Sequence, residues 1–202
     1  MAEGFGRESA LALLREWTAS ESLRKHGMAV SACTEAYGRL EAERLGLSGA
    51  EAEAFVETYA CAGLLHDMDY ERHPSLEEHP FVGVAHLREL GWPEDMLRAI
   101  LAHADYSGVG RESHLDRALF ACDELAGFLT ACALVKPSKS ILEVEVAGVK
   151  KKMKDKAFAR AVKREDITGG AELLGLTLEE HVGICLRAMQ ERAGELGLEG
   201  SV

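Results

Sequence analysis

The sequence predicts an all-α protein, a single-domain helical bundle. Three observations carry that expectation. Apolar residues recur at helical spacing along nearly the whole chain, and the one alternating stretch, Val144-Glu145-Val146, is too short for a strand. Aromatic residues, which strands favour, make up only 6% of the chain. Helix start signals are frequent: Ser48 with Glu51, Ser75 with Glu78, Ser140 with Glu143 and Thr177 with Glu180 have capping-box spacing, where hydroxyl and carboxylate satisfy free backbone donors.

Taken in order, the first helix is expected over 8–18. The second, over 21–45, carries the stripe His26, Val30, Cys33, Tyr37 and Leu40. The third, over 49–67, follows the Ser48 start signal and lines up Phe55, Tyr59, Ala62 and His66. Pro80 and Pro93 suit the first turns of helices over 80–90 and 93–104, where a missing N–H costs little. On the latter, Met96 and Ile100 put His103 on the inner face. Over 114–135, Leu115, Leu119, Ala126 and Leu129 surround Asp123. Further helices are expected over 141–153, 156–163 and 178–196.

Composition narrows the function. The chain of 202 residues is 47% apolar and 28% charged, enough for a real core and against general disorder. Its longest stretch without a charged side chain, Leu125–Val135, is far short of the roughly 18 residues of a membrane span. Glu3 and Arg7 near Met1 do not read as a secretion signal, and five scattered cysteines without a Cys-x-x-Cys pair read as reduced thiols; a cytoplasmic location is expected. The net charge of −11 argues against a general nucleic-acid binder. The charge is uneven, however: Lys136–Arg164 carries ten basic residues against Glu143, Glu145 and Asp155. That strip could meet phosphate, although a solvated helix face is the commoner use, and Lys150, Lys151, Lys152 and Lys154 are read that way.

Four separate helices thus turn an imidazole or a carboxylate toward the interior. A lone core histidine needs no ligand to explain it. Asp123 does need a partner, because an unpaired buried carboxylate costs several kcal/mol. Glu124, about 100° further round the helix, is read as solvated. Several histidines and two aspartates converging on one core point to a divalent cation. Imidazole and carboxylate without thiolate suit iron, manganese, cobalt, nickel, zinc or magnesium.

His26, then His66-Asp67 within LLHDMDYERHP, then Asp123 within ACDELAGF, resembles the ordered His…His-Asp…Asp signature of the HD-domain metal-dependent phosphohydrolases, the HDIG-type hydrolases among them. The resemblance covers about 20–135, leaving an N-terminal helix over 1–20 and a C-terminal helical extension over 136–202 packed on the core. It implies a bundle of the HD-domain type, with His26, His66, Asp67 and Asp123 holding a first metal. His79 and His103 resemble the extra pair of two-metal branches, in which Asp67 bridges to a second metal. One or two divalent ions per chain are therefore expected. His73, His86, His114 and His181 are left as surface or packing residues. The chain departs from some branches: Met68-Asp69-Tyr70 stands where many relatives have Ile-Gly-Lys, and the Gly-Tyr-Pro element of the cyclic-dinucleotide phosphodiesterases is absent.

The resemblance implies hydrolysis of a phosphomonoester or phosphodiester by metal-activated water. Asp67 is the metal-bound centre of that catalysis, and Asp69 and Glu78 are candidate proton shuttles. Arg111, in SGVGRES, is the first candidate for phosphate binding, followed by Lys136 and Lys139 in KPSKS. The expected substrate is a small phosphorylated metabolite, a nucleotide first. Two alternatives stand beside it: a di-iron oxygenase on the same six ligands, and a non-catalytic module stabilised by its metal. No membrane or nucleic-acid partner is expected. The C-terminal helices have three candidate roles: covering the core, forming a homodimer, or closing over the site.

Overall fold

The computed structural model describes residues 5–200, so the reading of Glu3 lies outside the described residues. Among these residues the chain forms α-helices and short 3-10 turns and no strand. The all-α expectation holds. No helix among them is long and apolar enough to cross a membrane.

The spine is a pair, α2 (Glu21–Leu45) and α3 (Gly49–Leu65), preceded by α1 (Arg7–Trp17). Small residues let the pair approach closely. A Cβ at Gly63 would stand 2.7 Å from the Ser31 Cα and 2.5 Å from the Thr34 hydroxyl, so only glycine fits there. At the same contact the Ser31 hydroxyl donates to the Ala60 carbonyl (2.8 Å) and Thr34 to that of Tyr59 (2.8 Å). Two short helices follow, α4 (Phe81–Glu89) and α5 (Glu94–His103). The long α6 (His114–Leu134) then crosses α2 and α5, sealed at its start by a full capping box between Ser113 and Asp116. Its Leu119, Leu125, Phe128 and Leu129 are completely buried, each contributing about 1.5–3 kcal/mol of transfer free energy.

The C-terminal third adds α7 (Val146–Met153), α8 (Arg164–Leu173), α9 (Leu178–Glu191) and the single turn α10 (Ala193–Leu196). α8 lies on α6, and α9 packs against α2 and α6. Ile167, Val182, Cys185 and Met189 join the same hydrophobic core as the earlier helices. All five cysteines are buried and free.

The expected helices over 8–18, 21–45, 80–90, 93–104 and 114–135 are present within a residue or two. Others need correction. The third helix ends at Leu65, leaving His66-Asp67 in the turns beyond it. The 141–153 helix is a 3-10 turn, Ile141–Glu143, then α7, because Glu145 between them is extended. The expected 156–163 helix is a run of turns, and α8 follows it unforeseen. The reason is Arg164, whose guanidinium donates to the carbonyls of Met153, Asp155, Phe158, Ala159 and Val162 and so replaces a helix's own donors. The Gly169-Gly170 pair hides α8 from propensity, yet a Cβ at Gly170 would sit 2.6 Å from the Ala121 Cα. The 178–196 helix breaks at Arg192. Of the four start signals only Thr177 with Glu180 forms a full box; Ser48 makes no side-chain cap.

His181, read from sequence as surface or packing, is fully buried on α9. The Tyr37 hydroxyl donates to its Nδ1 (2.6 Å), and its Nε2–H donates to the Ala121 carbonyl (2.9 Å). The ring is therefore neutral, and burial pushes its pKa down from 6.5 to about 4. In the unfolded chain it takes up a proton near pH 6.5, so folding stability is full above that value and declines as pH falls toward 4. The decline attributable to His181 is about 3 kcal/mol. Urea unfolding between pH 7.5 and 4.5 checks this: His181→Gln should lower stability at pH 7.5 and flatten the acid decline. An unchanged slope would contradict it.

Candidate metal centre

The dipeptide His66-Asp67 sits where α3 gives way to turns, and its position is fixed from both sides. The His66 Nδ1–H donates to the Gly63 carbonyl (2.9 Å), one turn back on α3. Beyond it, the Thr18 hydroxyl donates to the Met68 carbonyl (3.0 Å), and the Glu71 carboxylate accepts from the Ala19 and Ser20 amides (2.6 and 3.1 Å). The link between α1 and α2 thus holds the segment that carries the dipeptide. His26 comes from α2, His79 from the turn before α4, His103 from the last residue of α5 and Asp123 from the middle of α6.

These six residues converge. The Asp67 carboxylate is shared: its Oδ2 faces the Nε2 of His66 (3.3 Å) and of His26 (3.9 Å), while its Oδ1 faces the Nε2 of His79 (3.3 Å) and of His103 (3.6 Å). Asp123 closes the first group, with Oδ1 at 2.9 Å from the His26 Nε2 and 3.4 Å from that of His66. His26, His66 and Asp67 form one group that could hold a metal, and Asp67, His79 and His103 form another.

The tautomers fit a cation. His66, His79 and His103 each commit Nδ1–H to an acceptor: the Gly63 carbonyl, the Asp69 carboxylate (2.7 Å) and the Ile100 carbonyl (2.5 Å). Each therefore turns its Nε2 toward Asp67, the nitrogen left over for a cation once its proton is displaced. Such fixed outer partners orient histidine ligands and raise their basicity. The His66 Nε2 is buried with no hydrogen-bond partner among the described residues, and with the Asp67 and Asp123 oxygens 3.3 and 3.4 Å away it is an atom that a metal would satisfy. The electrostatics agree. Burial alone would depress His66, yet the Asp67 and Asp123 carboxylates hold it well above the usual imidazole range. His79 is likewise pushed up to about 9, burial being outweighed by Asp67 and Asp69. Asp67 and Asp123, despite burial, are held well below the usual carboxylate range by the surrounding histidines. Positive charge is what this cluster lacks, and nitrogen and oxygen donors without thiolate suit the hard to borderline divalent ions.

A cleft of about 320 Å³ opens over Asp67, His79, His103 and Asp123. Tyr70, Tyr106 and Phe120 form its apolar wall, and the Tyr70 ring meets His79 edge-on at 5.2 Å. Asp105, Glu124, Lys163 and Asp166 are its other charged neighbours.

Other residues singled out from the sequence have partners of their own. Both Asp69 oxygens are engaged: Oδ1 accepts from His79 and Oδ2 from the Gly83 amide (2.7 Å), and the residue is buried. Glu78 is outside the cleft, bound to the His73 Nδ1–H and the Ser75 hydroxyl (both 3.0 Å). The Arg111 guanidinium is stacked 3.4 Å from the Phe120 ring centroid and paired with Asp105 (2.5 Å), so it supports the wall and does not line the cleft. Lys136 and Lys139 follow the end of α6, about 16 Å along the axis from Asp123, where Lys136 lines a separate groove with Val144 and Lys151. Glu124 is half-buried: it lines the cleft, and burial together with the Asp123 charge raises its pKa. Tyr70, Tyr106 and Lys163 line the cleft without having been singled out from sequence.

A protein-family model described as HD domain matches residues 31–127, a span that contains five of the six clustered residues and begins just after His26. No curated protein and no solved structure gives a match.

Proposed function

Since the chain belongs to the HD-domain superfamily, whose domains bind divalent metals, we propose that it is a phosphohydrolase acting on a small phosphorylated metabolite, a nucleotide first. The observation that carries this reading is the Asp67 carboxylate, one oxygen facing each of two histidine groups at the floor of an open cleft. On this reading His26, His66, Asp67 and Asp123 would hold one cation, and Asp67, His79 and His103 would hold a second. Bound divalent ions supply Lewis acidity, lowering the pKa of water and neutralising charge on a phosphoryl group.

The chain's own residues do the rest. Asp69 and the backbone carbonyls at Gly63 and Ile100 keep three imidazoles aimed inward, so no reorganisation is needed when substrate arrives. Tyr70 and Tyr106, both exposed, offer flat apolar surface to a base or another planar group. The cleft volume suits a mononucleotide better than a polymer.

The test is a panel of phosphate monoesters and diesters, nucleotides included, presented to protein loaded with manganese or iron, with phosphate release and oxygen uptake followed together. Metal-dependent phosphate release without oxygen uptake is expected, lost on chelation. Oxygen uptake with the ester intact would replace hydrolysis by oxygenation. Inertness toward the whole panel would leave a metal-stabilised binding module.

A further inference from the structure

We propose that Lys163, supplied by the C-terminal extension, is the cation that binds the substrate's phosphate over the metal centre. It lies outside the span matched to the HD domain, and it is the one lysine or arginine among the described residues that line the cleft.

Its place is built. The Lys163 amide donates to the Glu124 carboxylate (3.2 Å), tying the start of α8 to α6 beside Asp123. The loop leading to it is caged by the Arg164 guanidinium, which takes five carbonyls between Met153 and Val162 and lies 5.2 Å from the Phe128 ring centroid. α8 is seated by buried Ile167 and by the close approach of Gly170 to Ala121. The backbone is thus fixed while the side chain is 68% exposed, and its one ion-pair partner among the described residues, Asp166, is 3.9 Å away, beyond hydrogen-bond length. A long ammonium with a loose partner, at the mouth of a cleft that is otherwise acidic, is suited to exchange that partner for a phosphate oxygen.

Three other members of the basic strip 136–164 are already engaged. Lys150 is paired with Glu179 (2.5 Å), Lys152 lies over Phe158 (4.5 Å) and Arg164 holds the loop. Those three have structural partners, and Lys163 is the member of the strip that reaches the cleft.

The choice of phosphate as the anion rests on the phosphohydrolase reading; the position of Lys163 in the cleft does not. The experiment is titration calorimetry of inorganic phosphate into the full chain loaded with manganese, with elemental metal content measured for each variant. Lys163→Met should weaken phosphate binding by roughly tenfold or more at unchanged metal content. Lys163→Arg should stay close to the parent, and Lys154→Met, elsewhere in the strip, should equal it. With an active substrate, Lys163→Met should raise KM and leave kcat within a few-fold. Unaltered phosphate binding in Lys163→Met would overturn the assignment, as would loss of its metal or a parent protein that binds no phosphate. Weakened phosphate binding in a protein that hydrolyses nothing would uphold Lys163 and overturn only the hydrolase reading.

Discussion

Asp67→Ala is expected to empty both metal positions at once and to reduce phosphoester cleavage to background. The reason is the division of labour between its two oxygens, Oδ2 toward His26 and His66 and Oδ1 toward His79 and His103. His79→Ala or His103→Ala, by contrast, touches one group only and should lower metal content by about one ion per chain, as expected for a two-metal site. Metal added at a hundred times its dissociation constant stabilises a folded protein by about 2.7 kcal/mol, so the parent should show a metal-dependent rise in Tm that Asp67→Ala lacks. Asp67 is also one of the carboxylates that raise His66 and His79, beside Asp123 and Asp69 respectively, so these two histidines should titrate nearer the ordinary range in the variant. Full metal content in Asp67→Ala would mean that the shared carboxylate is not the bridge.

The second large effect belongs to Asp69, which separates two roles that one position could serve. Its oxygens are taken by His79 Nδ1–H and by the Gly83 amide. On that geometry Asp69→Asn should weaken the ion held by Asp67, His79 and His103 by about 10- to 100-fold, the usual loss when an outer partner of a metal-ligating histidine is removed. The ion of the His26 group should remain. Saturating metal should then restore most of the activity. A proton shuttle at Asp69 would behave differently, since activity would stay lost however much metal was added. Gly83 stands close behind: a Cβ there would lie 2.9 Å from the Asp69 carboxylate, so this carboxylate is packed as well as bonded.

The convergence of the cluster was legible in the sequence because each of His26, His103 and Asp123 continues an apolar stripe, and helical spacing alone turns such residues inward. His66-Asp67 was legible as a motif, although the helix ends before it. What the local pattern does not encode is which polar partner a side chain finds. Arg111 reads as a phosphate fork until Asp105, six residues earlier, and the Phe120 ring are seen to occupy it. Asp69 reads as a shuttle until His79 and Gly83 claim both its oxygens. Lys163 was hidden twice over. Its approach to the cleft depends on α8 docking against α6 forty residues away in sequence, and α8 itself was masked by Gly169-Gly170. The signal that was available was the basic strip combined with Glu124 beside Asp123, since a half-buried glutamate needs a donor. His181 shows the converse case. A histidine on an apolar stripe turned out to be a neutral core residue satisfied by Tyr37 and Ala121, with no carboxylate bonded to it.

The central claim, a centre for two cations bridged by Asp67, is tested most directly by the elemental metal content of the full chain, purified without chelator or affinity metal and loaded with manganese or iron. The account predicts about two ions per chain, falling to about one in His79→Ala and to nearly none in Asp67→Ala. A single ion per chain that survives His79→Ala unchanged, or no bound metal at all, would contradict it.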